Sequence, residues 1–236
     1  MRTQAIVPIK SFDSAKQRLA DVLAAGSRRS LVQAMFSDVL AALRRCEQLD
    51  RIAVVTADPL ADSIARGDRV PVLHDDVSAG QSAAAEIGIA DAIAGGFERV
   101  ILVPGDTPLL DPAEVDDLLD RTDRDGVEVA IVPDRHGTGT NALVLAPPDA
   151  IAPSFGEGSF ERHLAAARDA GRTCRVEHLE SLAPDVDTPD DLVTMWAMLD
   201  GARVRAQRTR GALRQLDRSG ARAALDRERA SSALEV

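Results

Sequence analysis

Short runs rich in β-branched residues alternate with longer Ala- and Leu-rich segments along most of this chain of 236 residues. The runs of strand length are Gln4 to Pro8, Arg51 to Thr56, Val70 to His74, Arg99 to Val103, Val127 to Val132 and Ala142 to Ala146. The helical segments are Ser27 to Cys46, about Gln81 to Gly95, and the stretch after Pro112. Strand, helix and strand in repeated order predict an α/β fold with a mostly parallel sheet and helices on both faces.

The length of the chain favours one α/β domain, which we expect to span residues 1–200. From about Gly201 the composition shifts to Arg, Ala and Asp. This stretch contains Arg203, Arg205, Arg208 and Arg210, and a sparse apolar stripe of Leu213, Leu216 and Leu225. We expect a peripheral helix or a flexible tail over 201–236. The alternative is a basic arm that meets a partner subunit or a nucleotide.

Composition excludes several classes of protein. The net charge of −10 argues against a nucleic-acid binder, which needs a basic surface. Cys46 and Cys174 form neither a CxxC motif nor a Cys/His cluster, so no zinc site or disulfide framework is expected. No stretch approaches the roughly 20 apolar residues that cross a bilayer. We expect no membrane partner, a location in the reducing cytoplasm, and a homodimer as the default assembly.

The loop after the first predicted strand is basic. It carries Lys10, Lys16 and Arg18, which could surround a triphosphate, because Lys supplies point charges and Arg a bidentate fork. The loop contains neither the P-loop motif nor the GxGxxG fingerprint. The alternative is that these side chains only solvate a surface loop.

Two acidic segments supply candidate metal ligands. Asp106 follows the apolar run Arg99 to Val103, so we expect it at the carboxyl edge of the sheet, where ligands bind in such folds. Asp185 and Asp187 point to the same side of an extended segment, because side chains alternate there. These carboxylates suit Mg²⁺. The alternative for the second segment is capping of a helix near Pro189, with Asp190 and Asp191 in its first turn.

A third segment, residues 133–143, is rich in small residues, and its Thr138 and Thr140 hydroxyls are open to an anion. The alternative is a plain turn between strands. Ser159 begins a predicted helix, and it could cap the helix or bind an anion. His163 lies in the same helix, and we expect it to pack or orient other groups, because a phosphate acceptor needs no general base.

Together these motifs resemble the coenzyme F-420 biosynthesis guanylyltransferase family, called CofC in archaea and FbiD in actinobacteria. The matching motifs are VPIKSFDSAKQRL, PGDTPLL, DRHGTGTNAL, SFGEGSFERH and DVDTPDDL, and they lie between Met1 and Leu199. The resemblance implies a Rossmann-like nucleotidyltransferase fold and two Mg²⁺ ions. It also implies transfer of GMP from GTP to a small phosphorylated acid, phosphoenolpyruvate or 2-phospho-L-lactate, with release of pyrophosphate.

The resemblance also implies roles for individual residues. The implied metal ligands are Asp106, Asp185 and Asp187, and the implied acceptor-binding residues are Thr140, Gly156 and Ser159. The implied nucleotide-binding residues are Pro8, Lys10, Lys16, Arg18, Gly80, Gln81, Ser82 and Asp106, with Lys10, Lys16 and Arg18 at the GTP phosphates. Relatives often have Leu-Asn near the base, where this chain has Gly80-Gln81-Ser82.

Other interpretations remain open at this point. One is an enzyme of the same fold that uses another acceptor, such as 3-phosphoglycerate, a sugar phosphate or molybdopterin. Another is a nucleotide-binding subunit without catalytic activity.

Overall fold

The computed structural model describes residues 1–13, 15–75, 80–201 and 205–218. Its strands are β1 (Thr3–Ile9), β2 (Arg51–Thr56), β3 (Val72–His74), β4 (Arg99–Leu102), β5 (Val129–Pro133), β6 (Thr140–Leu145) and β7 (Cys174–Val176). Its α-helices are α1 (Ala25–Leu43), α2 (Pro59–Gly67), α3 (Gln81–Ala94), α4 (Pro112–Arg124), α5 (Ser159–Asp169), α6 (Pro189–Gly201) and α7 (Gln207–Arg218). One 3-10 turn covers Gln17–Leu19.

The seven strands form one sheet in the order β3-β2-β1-β4-β6-β5-β7. Pairing is parallel except at β6, which runs antiparallel to both of its neighbours, β4 and β5. The prediction of an α/β fold with a mostly parallel sheet is therefore confirmed. The connection between β5 and β6 is short, and so it makes a hairpin, because a parallel crossover needs a dozen or more residues.

Helices cover both faces of the sheet, as predicted, and two hydrophobic clusters lie under them. Alternate residues of β1 face opposite sides: Val7 belongs to the cluster that contains residues of α1, α2 and α4, whereas Ile6 belongs to the cluster that contains residues of α3. The central strands are thus buried on both faces, as their almost continuous apolar sequences require. No helix within the described ranges is both long and apolar enough to cross a membrane.

The stretch after Gly201 includes a helix that joins the main core. Leu213 and Leu216 of α7 are buried in the cluster that α1 also lines. On α1, the Asp38 carboxylate accepts hydrogen bonds from the Thr209 backbone N–H at 2.7 Å and from its hydroxyl at 2.8 Å. The buried carboxylate therefore fixes the first turn of α7. Arg203, Leu225 and residues 219–236 lie outside the described ranges, and the domain boundary at residue 200 stays a prediction.

Two glycines in helices predict opposite effects of substitution by alanine. Gly88 of α3 lies against Ile6 of β1, and an added Cβ would overlap the Ile6 side chain. Gly211 of α7 is exposed, and nothing lies within 4 Å of its added Cβ. We expect Gly88→Ala to lower the free energy of unfolding by about 1–3 kcal/mol through overpacking. Gly211→Ala should raise it by up to about 1 kcal/mol through helix propensity.

Urea unfolding of both variants and the wild type measures these changes. A Gly88→Ala protein as stable as the wild type would contradict the close packing of α3 on β1.

Candidate active site

A cavity of about 650 Å³ opens at the carboxyl ends of the central strands. The predicted site residues that line it are Pro8, Lys10, Lys16, Arg18, Gln81, Asp106, Thr140, Gly156, Ser159, Asp185 and Asp187. These residues are spread over most of the sequence, and parallel strands bring their ends to one edge of the sheet. Gly80 and Ser82 are not among the residues that line it.

Lys16 lies between two of the predicted metal ligands. Its ammonium group contacts the carboxylate of Asp106 and bonds to Asp187 at 2.7 Å, and its side chain is only 4 % exposed. Its backbone has φ of 55°, a left-handed conformation that is uncommon outside glycine and is found at functional sites. Burial alone would lower the pKa of Lys16, but attraction to Asp106 and Asp187 raises it overall above its ordinary value.

Asp106 follows β4, as predicted, and the turn before it depends on Gly105. A Cβ at Gly105 would overlap the Ile9 side chain at the end of β1. Glycine therefore lets the chain after β4 pass close to β1, and this approach brings Asp106 toward the basic loop. The Asp106 side chain is 30 % exposed, so it contacts Lys16 and still reaches the cavity.

Asp185 and Asp187 lie on the same side of an extended segment, as their spacing predicts. Val186 between them is fully buried, whereas both carboxylates line the cavity. Burial, followed by repulsion from Asp106 and Asp187, raises the pKa of Asp185 to about 6. Burial also acts to raise the pKa of Asp187, but attraction to Lys16 and Arg18 lowers it overall.

The charges in this cluster leave an excess of negative charge. Asp106, Asp185 and Asp187 with Lys16 carry a net charge of −2 when all are ionised. A divalent cation would balance that charge, and Mg²⁺ is commonly held by a few carboxylates and substrate phosphates. Within the described ranges, no three His, Cys, Asp or Glu side chains form a ready-made metal cluster.

The helix-capping alternative for the acidic segment is also present in the structure. The Thr188 hydroxyl accepts the Asp191 backbone N–H at 3.2 Å, and the Asp191 carboxylate accepts the Thr188 backbone N–H at 2.7 Å. This reciprocal pair is a capping box at the start of α6. Asp191 also accepts the Asp187 backbone N–H at 3.0 Å and pairs with Arg135. Capping thus holds the backbone of a candidate ligand in place.

A second group of residues that line the cavity carries hydroxyl groups. The Ser159 hydroxyl donates to Thr140 Oγ1 at 3.2 Å, and Thr140 Oγ1 lies 3.0 Å from His163 Nδ1. All three side chains are buried. Gly156 lies in the loop before α5, and the Arg162 guanidinium fixes this loop through the Ser154 carbonyl at 2.9 Å. The three predicted acceptor residues therefore all line the same cavity.

Two polar residues of segment 133–143 fix backbone near the site through hydrogen bonds, a role that the sequence patterns did not predict for either. Asp134 accepts the backbone N–H groups of His136 at 3.1 Å and Thr138 at 2.9 Å, which shapes the turn between β5 and β6. Asn141 donates to the carbonyls of Leu182 at 2.8 Å and Ala183 at 3.1 Å, just before Asp185. In the sequence, Asp134 directly follows the apolar residues of β5, and Asn141 is a polar residue within the otherwise mostly apolar β6.

Of the predicted base-binding residues, Gln81 lines the cavity, whereas Ser82 bonds to a neighbouring loop. Gln81 lines the cavity at the start of α3, and Gly80 precedes it with φ of 110°. The Ser82 hydroxyl accepts the Phe155 backbone N–H at 2.9 Å, so it connects α3 to the loop before α5. Lys10 and Arg18 are exposed at the cavity. The roles of all these residues in nucleotide binding remain predictions.

Comparison with known proteins identifies relatives across almost the whole chain. A family model described as "Guanylyl transferase CofC like" matches residues 3–221. A phosphoenolpyruvate guanylyltransferase from Conexibacter woesei is 50 % identical over 93 % of this chain and 98 % of its own. A 2-phospho-L-lactate guanylyltransferase from Methanothermobacter thermautotrophicus is 37 % identical over 81 % of this chain and 83 % of its own.

The fold also matches a solved structure. A Desulfovibrio desulfuricans G20 protein, described as a nucleotide-diphospho-sugar transferase, superposes with a TM-score of 0.75. The match covers 97 % of this chain and 98 % of the other, at 19 % sequence identity. The likeness therefore shows a shared nucleotidyltransferase-type fold.

The carboxylate cluster predicts that Asp185→Asn stabilises the metal-free protein. Asp185 is partly buried and faces two like charges, so its ionised form is unfavourable at neutral pH. We expect the free energy of unfolding in EDTA to rise by about 1 kcal/mol, and added Mg²⁺ to stabilise the variant less than the wild type.

Urea unfolding with EDTA or with Mg²⁺ measures both effects. Asp169→Asn, at an exposed position near the end of α5, is the matched control and should change neither value. A loss of stability in EDTA for Asp185→Asn would contradict the proposed repulsion.

Proposed function

The chain belongs to the CofC-like guanylyl transferase family, and from this premise we propose that it transfers GMP from GTP to phosphoenolpyruvate, with 2-phospho-L-lactate as the alternative acceptor. Pyrophosphate is the second product, and the reaction belongs to coenzyme F-420 biosynthesis. Phosphoenolpyruvate is preferred because the relative with 50 % identity carries that name.

The observation that carries this proposal is a single cavity lined by two different groups of residues. One group contains Lys10, Lys16, Arg18 and the carboxylate cluster, a combination suited to a metal-bound triphosphate. The other group contains the Thr140 hydroxyl, which the Ser159 hydroxyl supports by donating to it, and the loop with Gly156, and it suits a small anion. A volume of about 650 Å³ is in the usual range for ligand sites.

The proposed reaction is an in-line displacement at the α-phosphorus of GTP. A phosphate oxygen of the acceptor forms the new bond to this phosphorus, and the bond from it to the oxygen that bridges to the β-phosphorus breaks. Pyrophosphate leaves with the bonding electrons, and Lys16, Lys10 and Arg18 stabilise the negative charge that develops there. Because the acceptor oxygen is already anionic, no protein group has to remove a proton.

The side chains that would hold divalent metal are Asp106, Asp185 and Asp187. Bound Mg²⁺ would supply charge neutralisation at the phosphates, and two ions are part of this proposal. Lys16 bonds to Asp106 and Asp187. When nucleotide and metal bind, its ammonium group would leave at least one of these carboxylates and bond a phosphate oxygen instead.

We also propose that the protein forms a homodimer, and light scattering would measure its mass in solution.

Guanine recognition is assigned to the start of α3. Gln81 lines the cavity, and its amide offers both donors and an acceptor to a base edge. The Ser82 hydroxyl already accepts the Phe155 backbone N–H, so we propose that it links the start of α3 to the loop that contains Gly156. Gly80 lets the chain enter α3 with a positive φ.

An acceptor assay tests the proposed reaction. The protein is incubated with GTP and Mg²⁺, and separately with phosphoenolpyruvate, 2-phospho-L-lactate, 3-phosphoglycerate or a sugar phosphate. We expect pyrophosphate release and a guanylylated product, identified by its mass, with phosphoenolpyruvate. Turnover with another acceptor alone would reassign the substrate. Tight GTP binding without pyrophosphate release for any acceptor would instead favour a nucleotide-binding subunit.

The assignment of Asp106 predicts a variant that folds but turns over slowly. In Asp106→Asn we expect kcat/KM to fall by at least about 100-fold, because the side chain keeps its shape but loses the charge that attracts metal. The free energy of unfolding should change by less than about 1 kcal/mol. Asp169→Asn is again the control. Normal turnover of Asp106→Asn at limiting Mg²⁺ would contradict the assignment.

A further inference from the structure

His163 is buried beside the Thr140 and Ser159 hydroxyls, and its ring contacts both β6 and the loop before α5. It is 0 % exposed and lies in the second turn of α5. One ring nitrogen faces the loop before α5 and the other faces β6. The Phe155 ring packs edge-on against it, with ring centroids 5.3 Å apart. Neither ring nitrogen is left for proton transfer.

The hydrogen bonds define which nitrogen of His163 carries hydrogen. Nε2 lies 2.8 Å from the Ser154 backbone nitrogen, whose N–H can only donate. Nε2 must therefore accept and carry no hydrogen, which puts the hydrogen of the neutral ring on Nδ1. Burial, with Arg162 nearby, lowers the pKa of His163 to about 4, so the ring stays neutral at pH 7.

The hydrogen on Nδ1 in turn determines how the Thr140 hydroxyl is hydrogen-bonded. Nδ1–H donates to Thr140 Oγ1 at 3.0 Å, and the Ser159 hydroxyl also donates to Thr140 Oγ1 at 3.2 Å. A hydroxyl accepts about two hydrogen bonds and donates one. With both acceptor positions of Thr140 filled, its own hydrogen is free to be donated to a ligand in the cavity.

We propose that His163 is a positioning residue that fixes the Thr140 hydroxyl as a hydrogen-bond donor to the phosphorylated acid acceptor. This proposal rests on the proposed function, because it assumes that the acceptor binds at Thr140, Gly156 and Ser159. A fixed donor suits an anionic ligand and disfavours a ligand group that must itself donate a hydrogen bond. His163 therefore acts on acceptor affinity through Thr140 and does not contact the reacting atoms.

Two substitutions separate the two hydrogen bonds of His163. His163→Gln can offer an acceptor oxygen near the position of Nε2, and so can keep the bond from Ser154. His163→Asn can offer a donor N–H near the position of Nδ1, and so can keep the bond to Thr140. We expect the KM for phosphoenolpyruvate to rise about tenfold in His163→Gln, which corresponds to about 1.4 kcal/mol, with little change in the KM for GTP.

His163→Asn should keep a near wild-type KM for phosphoenolpyruvate. It should unfold at a lower temperature, because it loses the hydrogen bond from the Ser154 backbone N–H. Thr140→Val supplies a double-mutant cycle. Once the hydroxyl is gone, His163→Gln should have no further effect on the acceptor KM. If both His163 variants raise the KM values for GTP and acceptor in parallel with their loss of thermal stability, His163 is only a packing residue and the proposal is wrong.

Nitrogen-15 NMR of the histidine ring tests the proposal without any turnover. We expect the hydrogen on Nδ1 and none on Nε2 in the wild-type protein. Hydrogen on Nε2 would overturn the proposal whatever the enzyme assays show. A wild-type protein that turns over no phosphorylated acid, but has the expected ring tautomer, would defeat the proposed function and leave the hydrogen-bond assignment standing.

Discussion

Three carboxylates gathered around one buried ammonium group are the constraint on which the rest of the site depends. Asp106 and Asp187 both bond to Lys16, and Asp185 lies beside them with a raised pKa. Repulsion among these neighbouring carboxylates opposes folding unless other contacts hold them in place. The polar contacts behind the cluster supply that restraint: the capping box of α6 fixes the backbone at Asp187, and Asn141 fixes the chain before Asp185. The fold therefore maintains a cluster of negative charge around Lys16 that divalent cations would neutralise.

In the proposed function, two groups of residues in the cavity would hold negatively charged groups by different physical means. The triphosphate would meet full charges, whereas the acceptor would meet the neutral, buried Thr140 hydroxyl that Ser159 and His163 orient. A hydrogen bond between the Ser82 hydroxyl and the Phe155 backbone connects α3 with the loop before α5. Such a division suits a reaction that joins two phosphate groups, because both must approach each other despite their like charges.

Much of the fold could be predicted because strands and helices carry different hydrophobic periods. The apolar run at 99–103 predicted β4 and the position of Asp106 after it, and the spacing of Asp185 and Asp187 predicted their shared side. The strand β7 has only three residues, all half-buried, which is too short for a hydrophobic period to be recognised. The antiparallel direction of β6 depends on the short β5–β6 connection rather than on periodicity. The contact of Lys16 with the carboxylates depends on a left-handed backbone at a non-glycine residue, which no sequence pattern reveals.

A crystal structure with Mg²⁺ and a non-hydrolysable GTP analogue would show whether the carboxylate cluster binds a metal-bound triphosphate. We expect Mg²⁺ about 2.0–2.1 Å from carboxylate oxygens of Asp106 and Asp187 or Asp185, and from phosphate oxygens of the nucleotide. We also expect the Lys16 ammonium group to leave at least one carboxylate and to bond a phosphate oxygen. A nucleotide bound with its phosphates away from the carboxylates, and with Lys16 still bonded to both Asp106 and Asp187, would contradict the proposed role of this cluster.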